Sequence, residues 1–100
     1  MFIVSLNYTQ TLEKVDQHIA AHIAFLDHYY AAGKFIASGR KVPRTGGVIL
    51  VSASSREEVE TIIAEDPFVQ AKVAEYEITQ FCVLKVAAGF EQLLDTNTAG

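Results

Sequence analysis

The order in which the chain changes its hydrophobic period constrains its fold more than any other feature. Apolar and polar residues alternate from Phe2 to Tyr8, which is typical of a strand with one buried face. A helical pattern follows and ends near Gly33, and Phe35–Arg40 then predicts a second strand. The apolar positions of the helix recur at steps of three and four residues: Leu12, Val15, Ile19, Ile23, Leu26 and Tyr30.

The second half of the chain repeats this order of strand and helix. After a loop at residues 41–47, the nearly continuous apolar segment 48–53 predicts a strand that is covered on both faces. The helix that follows ends at Asp66, because Pro67 disfavours helical geometry in the residue before it. A long last strand is predicted from Glu75 to Val86. Four residues share the inner face of the second helix: Val59, Ile62, Ile63 and Asp66.

The resulting β-α-β-β-α-β order predicts an α+β, ferredoxin-like domain with a four-stranded antiparallel sheet and two helices on one face. This domain covers residues 1–86. Residues 87–100 are small and polar apart from Phe90, Leu93 and Leu94, and we expect a C-terminal tail with at most one helical turn.

The amount of apolar sequence predicts self-association. Half of the 100 residues are apolar, yet a domain of this size buries only roughly 60–65% of its unfolded surface. The helices cover one face of the sheet, whereas residues 48–51 and 81–84 are apolar on both faces. We therefore expect a homodimer packed sheet to sheet, a dimeric α+β barrel, and leave further assembly open.

Charge and composition exclude several classes of function. A net charge of -4 argues against nucleic acid as a partner, because phosphate binding needs a positive surface. The single Cys82 excludes an internal disulfide, fits a cytoplasmic protein, and is expected to be an inert part of the core. The segment after Met1 does not read as a signal peptide, and no apolar run approaches the ~20 residues that span a membrane.

His22 and Asp66 are the candidate catalytic residues. His22 borders the apolar stripe of the first long helix, and imidazole titrates near neutral pH. Asp66 could orient such a histidine and stabilise its charge, as a carboxylate does in a catalytic triad. Both residues also have a structural interpretation: a buried histidine bonded to a carbonyl, and a carboxylate that caps the N–H groups after Pro67.

Further candidates lie on the second strand and in the basic loop after it. Ser38 could donate a hydrogen bond to a substrate oxygen, and Gly39 would let a ligand approach the backbone. Arg40, Lys41 and Arg44 hold three of the eight basic residues, which suggests an anion-binding loop or simply a solvated one. His18 and His22 have a spacing that can chelate a metal, but too few ligands accompany them, so neither a metal nor another cofactor is expected.

Taken together, these positions resemble the YCII (YciI-like) family of small dimeric α+β barrel proteins. The match runs from about Met1 to Val86. Gly39-Arg40 departs from the Gly-Pro that is common in the family at this point. The residues that carry the resemblance are His22, Gly33, Ser38-Gly39, Gly46-Gly47 and Asp66-Pro67-Phe68.

The resemblance implies a site built on the pair His22 and Asp66, with Ser38 nearby. Some YCII members remove HCl from a chloromuconolactone or a chlorinated hydroxyquinol during breakdown of aromatic compounds. We therefore expect a cofactor-free lyase or isomerase acting on a small cyclic anion, with Ser38, Gly39, Arg40 and Phe68 binding the substrate. The alternative is a non-catalytic module that binds a small ligand or another protein, and a weaker third hypothesis is an oxygen-using monooxygenase.

Overall fold

The computed structural model describes residues 1–95 of the chain. Its strands are β1 (Phe2–Tyr8), β2 (Phe35–Arg40), β3 (Gly46–Val51) and β4 (Ala74–Gln80). Its helices are α1 (Leu12–Asp16), α2 (Ile19–Ala31), α3 (Arg56–Ile63) and α4 (Pro67–Gln70). None of the helices in this range has both the length and the apolar character that crossing a membrane requires.

The strands form one antiparallel sheet in the order β2-β3-β1-β4. This order confirms the predicted α+β, ferredoxin-like fold. Val4 of β1 lies opposite Ile49 on one side and Ile78 on the other. Because residues that are directly opposite share a face of the sheet, these three side chains pack under the helices, where all three are buried.

The inner face of α3 is the predicted one. Val59, Ile62, Ile63 and Asp66 are all buried, and Asp66 is the one buried charged residue in the described chain. Apolar burial at steps of three and four residues is what anchors this helix on the sheet, since a helix of eight residues has little stability of its own. The same packing brings Asp66, which follows the helix, into the interior.

The first predicted helix is two helices. α1 ends at Asp16 and α2 begins at Ile19, because the N–H of His18 donates to the carbonyl of Val15, three residues back, at 3.0 Å. A bond over three residues tightens the turn and redirects the chain. No glycine or proline stands at this break, so the sequence contains no signal for it.

The last strand is shorter than predicted. β4 ends at Gln80, which is paired with Phe2, the first residue of β1. Beyond this point β1 offers only one more acceptor, the carbonyl of Met1, which takes the N–H of Phe81 at 2.9 Å. Residues 81–86 therefore leave the sheet, and Cys82 is exposed, so its assignment to the core is wrong.

The C-terminal segment returns to the body of the domain. A single 3-10 turn spans Glu91–Leu93, in line with the expected helical turn. The carboxylate of Asp95 accepts a hydrogen bond from the N–H of Val83 at 2.6 Å. The remainder of the predicted tail, residues 96–100, lies outside the described residues.

Gly46 is required where β1 and β3 approach each other. A Cβ atom at this position would lie 1.8 Å from the carbonyl oxygen of Leu6, so a larger residue would force the strands apart. An ideal Cβ at Gly39 meets nothing within 4 Å. The space beside Gly39 therefore holds no other part of the protein and leaves room for the ligand that the sequence suggests there.

The sheet has an apolar surface on the side away from the helices. Side chains alternate between the two faces of a strand, so the neighbours of Val4 and Ile49 lie on the face away from the helices. The residues on this outer face include Ile3, Ala37, Val48 and Leu50. Val48 is 37% exposed. This outer face is the surface on which we expect the second copy of the chain to pack.

Placing a charge on this face will separate the predicted dimer. We expect the wild-type chain to sediment as a dimer at micromolar concentration and Val48→Lys to sediment as a monomer, because an unpaired lysine cannot be buried there. Val42→Lys is the matched control, since Val42 is 94% exposed in the loop between β2 and β3. Wild-type protein that sediments as a monomer would contradict the dimer.

Candidate active site

A cleft of about 570 Å³ opens between α2 and the sheet. Its walls are largely apolar and come from both layers of the domain, a common composition for small-molecule sites. Ile19, Ile23 and Leu26 of α2 form one wall, and Leu6 and Ile49 of the sheet form another. The remaining side chains and backbone that line it include Tyr8, Asp16, His22, Ser38, Gly39, Arg40, Arg44 and Phe68.

The apolar stripe of α2 is the wall of this cleft and not the core contact that its spacing indicates. Ile19 is 40% and Ile23 is 50% exposed, whereas Phe25, outside the predicted stripe, is buried. Phe25 packs edge-on against Phe35 with ring centroids 5.6 Å apart. The helix is therefore anchored by Phe25 and presents Ile19, Ile23 and Leu26 of the stripe, together with His22, to the cleft.

His22 lies in the first turn of α2, with its imidazole held between two fixed groups. The ring stacks on Phe68 with centroids 4.0 Å apart and an angle of 10° between the planes. The Phe68 ring is itself fixed by an edge-on contact with Tyr8 at 5.9 Å. Only 15% of the His22 side chain is exposed, so its plane is set by packing as well as by hydrogen bonding.

Asp66 is fully buried beside His22, and its role as a helix N-cap explains its position. Asp66 has an extended backbone and is the N-cap of α4, whose first residue is Pro67. A proline is well suited to this first position because its missing N–H has no partner in a helix anyway. The Asp66 Oδ1 atom accepts a hydrogen bond from the N–H of Phe68 at 2.9 Å, so the predicted capping role is present.

The same carboxylate pairs with the imidazole. His22 Nδ1 lies 2.9 Å from Asp66 Oδ1. An ionised carboxylate only accepts hydrogen bonds, so the network assigns the proton to Nδ1. Nε2 then carries the lone pair, and within residues 1–95 it has no hydrogen-bond partner.

The two roles of Asp66 converge on one oxygen. Oδ1 receives both the Phe68 N–H and the His22 ring. Oδ2 is buried and has no partner among the described residues. A buried carboxylate with one unpaired oxygen is unfavourable alone, and a positive charge on the adjacent imidazole would offset that cost.

Ser38 and Arg40 both project into the cleft from β2. Ser38 lies opposite Ile49 and Arg40 opposite Gly47, which places both side chains on the helix side of the sheet. Gly39, between them, contributes backbone to the cleft. The Ser38 hydroxyl is 2.7 Å from the hydroxyl of Tyr30 at the end of α2.

The structure distinguishes the three basic residues of the loop. Lys41 donates to the side chain of Asn7 at 2.7 Å and does not line the cleft. Arg44 lines the cleft but is bonded to Asp16, and this hydrogen bond raises the pKa of Arg44 above its usual value. Arg40 lines the cleft with no hydrogen bond or ion pair inside the described range, so it is the guanidinium best placed to receive an anion.

Phe68 and His18, the other two candidate residues, differ in their position relative to the cleft. Phe68 lines the cleft beside His22, so it can contact a ligand as well as the imidazole. His18 is not among the residues that line the cleft. Within residues 1–95, no group of three or more His, Cys, Asp or Glu side chains is arranged to hold a metal ion.

Sequence reasoning missed Asp16 as a residue of the site. Its partner Arg44 is 28 positions away, so no local pattern connects them. Arg44 also lies over the ring of Tyr8, with its guanidinium carbon 5.9 Å from the ring centroid. Together these three residues form one end of the cleft.

Comparison with known families decides the classification. The model of the YCII-related domain matches residues 1–82. The chain belongs to the YCII family. No curated protein matches this YCII protein.

A solved structure has a similar fold. The 5-chloro-2-hydroxyhydroquinone dehydrochlorinase of Burkholderia phenoliruptrix, in complex with 2,5-dihydroxybenzoquinone, superposes with a TM-score of 0.68. The match covers 81% of this chain and 93% of that chain at 22% sequence identity. At this identity the likeness establishes the fold of the YCII protein and leaves its reaction to be argued from the site.

Proposed function

We propose that this YCII protein is a lyase or isomerase that moves a proton on a small cyclic anion such as a hydroxyquinone or a lactone. The observation that carries the proposal is the contact of 2.9 Å between His22 Nδ1 and Asp66 Oδ1 at the wall of an apolar cleft. An imidazole that is oriented by a buried carboxylate is a common form of general base. The reaction proposed here uses only side chains of the protein and no cofactor.

Each residue of the site has a separate part in this mechanism. His22 Nε2 takes a proton from the ring of the substrate, and Asp66 holds the tautomer and stabilises the imidazolium that forms. Arg40 and Ser38 bind substrate oxygens, Gly39 provides backbone beside them, and Phe68 contacts the ring. A ring bound between the apolar walls would displace water, which strengthens each of these polar contacts.

Loss of HCl is the reaction that we consider first, because the fold neighbour is named for it. In a chlorinated hydroxyquinol, the proton of the hydroxyl beside the chlorine-bearing carbon would first move to that carbon, which gives the keto form of the ring. His22 would then remove the proton of the hydroxyl opposite the new carbonyl, so that a second carbon–oxygen double bond forms and the ring double bond shifts to the carbon that bears chlorine. The carbon–chlorine bond breaks, and chloride leaves with its electrons. The ring is oxidised to a hydroxyquinone as the carbon-bound chlorine becomes chloride, so no external oxidant is needed.

One observation favours a different function, that of a binding module. Asp66 caps α4 and His22 stacks on Phe68, so both side chains also stabilise the fold without any reaction. In that case the cleft would hold a small ligand that is not converted. Turnover distinguishes the two functions.

The proposal is tested by offering the purified protein 5-chloro-2-hydroxyhydroquinone and, separately, a chlorinated muconolactone. We expect chloride release in equal amount to quinone or dienelactone-type product, at a rate well above that without protein. Chloride would be measured by ion-selective electrode and the ring product by absorption. Binding of 2,5-dihydroxybenzoquinone without turnover of any ring substrate would favour the binding module instead.

A further inference from the structure

We propose that Tyr30 and Ser38 form a pair of hydroxyl groups that recognises a second oxygen of the substrate, remote from the atom that reacts with His22. Ser38 Oγ makes the contact, and Tyr30 is a positioning residue that acts through Ser38. This inference rests on the proposed function, and it narrows the substrate class to rings that carry a second oxygen away from the reacting atom.

The contact that supports this pair joins two elements at the edge of the cleft. Tyr30 Oη and Ser38 Oγ are 2.7 Å apart, which is an ordinary distance for a hydrogen bond between hydroxyl groups. Ser38 lines the cleft, whereas Tyr30 is not among the lining residues. The Tyr30 ring packs edge-on against Phe35, 5.9 Å between centroids, which holds the phenol in place. Tyr30 therefore contacts Ser38 without lining the cleft itself.

The chemistry of the two hydroxyl groups sets the direction of this hydrogen bond. A phenol is a stronger donor than an aliphatic alcohol, so Tyr30 donates and Ser38 accepts. The hydroxyl hydrogen of Ser38 is then free to turn into the cleft. A donor that already accepts a hydrogen bond is strengthened, by ~10–30% per bond in condensed phases. Tyr30 thus makes Ser38 a better donor to a carbonyl or phenolate oxygen.

The position of the pair along α2 separates it from His22. Tyr30 follows His22 by eight residues, a rise of ~12 Å along a helix. The pair and the imidazole therefore lie at different parts of the cleft, and an oxygen held by Ser38 is not the atom that exchanges a proton with His22. Arg40, two residues after Ser38 on the same face of β2, adds positive charge at the Ser38 end. The oxygen bound there is therefore expected to be anionic or strongly polarised.

Calorimetric titration with 2,5-dihydroxybenzoquinone tests the inference. We expect Ser38→Ala to weaken binding by about tenfold, the effect of one hydrogen bond to a charged group. Tyr30→Phe should weaken binding by about twofold, because it removes only the part of that hydrogen bond that Tyr30 adds. The double variant should bind no more weakly than Ser38→Ala, because Tyr30 acts only through Ser38. Ser38→Thr, which keeps the hydroxyl, should retain most of the affinity.

Tyr29→Phe is the matched control on the same helix. The Tyr29 hydroxyl donates to Glu65 at 2.6 Å, and this contact raises the pKa of Tyr29 to about 12. Tyr29 does not line the cleft, so its substitution should leave the affinity unchanged. Thermal melting of each variant verifies that the fold is intact before affinities are compared.

The other possible results bear separately on Tyr30, on the substrate class and on the proposed reaction. Wild-type affinity in Tyr30→Phe, or strictly additive losses in the double variant, would overturn the role of Tyr30 as a positioning residue. Failure of the wild-type protein to bind the quinone would overturn both this inference and the proposed substrate class. Binding that depends on Tyr30 and Ser38, with no turnover of any ring substrate, would support the inference and overturn the proposed lyase activity alone.

Discussion

His22→Ala will lower the rate of HCl loss by ~10²–10⁴-fold, the usual contribution of a general base. The loss should fall on kcat more than on KM, because Arg40 and Ser38 remain in place to bind the ring. The reason lies in the geometry: His22 Nδ1 is bonded to Asp66 at 2.9 Å, which leaves Nε2 for the substrate. Initial rates of chloride release over a range of substrate concentrations separate the effect on kcat from the effect on KM.

Two variants complete this experiment. His18→Gln is the control, because His18 lies one turn before His22. The His18 side chain makes no capping hydrogen bond to α2 and does not line the cleft. This variant should therefore keep the wild-type rate. His22→Gln retains a donor for Asp66 but has no basic nitrogen, so it should be as inactive as His22→Ala. Full turnover by His22→Ala would rule out the proposed role of His22.

Asp66→Asn will reduce turnover by ~10²–10⁴-fold while changing stability much less than Asp66→Ala does. An amide of the same shape can still accept the N–H of Phe68, which keeps the cap of α4. Its amide oxygen can also accept from His22, but it carries no charge to stabilise an imidazolium. Asparagine therefore separates the catalytic role of this residue from its structural one.

Asp66→Ala should lose both roles. We expect a decrease of about 2–4 kcal/mol in the free energy of unfolding, because a helix cap is removed and the buried His22 nitrogen is left unpaired. Denaturant unfolding measures this difference. Asp27→Asn is the control, since Asp27 is exposed on α2 and has no hydrogen bond or ion pair in the described structure. Equal stability losses in Asp66→Asn and Asp66→Ala, with activity unaffected in the first, would mean that the carboxylate charge is not used in the reaction.

Local sequence patterns predicted the parts of the fold whose determinants are themselves local. The alternation in β1 and the inner face of α3 depend on neighbouring residues, and the structure agrees with both. The end of β4 depends on where its partner β1 begins, which only the pairing of the two strands reveals. The end of α1 at Asp16 could not be predicted, because no glycine or proline stands there.

The candidate site, like the fold, has some features that local sequence predicts and others that it does not. Asp66-Pro67 carries the chemistry of a capped helix, so the burial and capping role of Asp66 could be inferred from sequence. The stripe on α2 was correctly seen as one apolar face, but its spacing cannot tell a core from the wall of a cleft. That distinction depends on Phe25, which takes the place of the stripe in the core.

Chloride release from 5-chloro-2-hydroxyhydroquinone, measured side by side for the wild-type protein and His22→Ala, tests the central claim most directly. The account predicts steady release by the wild type and a rate lower by ~10²–10⁴-fold for the variant, with both proteins folded and both binding 2,5-dihydroxybenzoquinone. Equal rates for the two proteins would contradict it, because the proton would then be moved by a group other than the His22 imidazole.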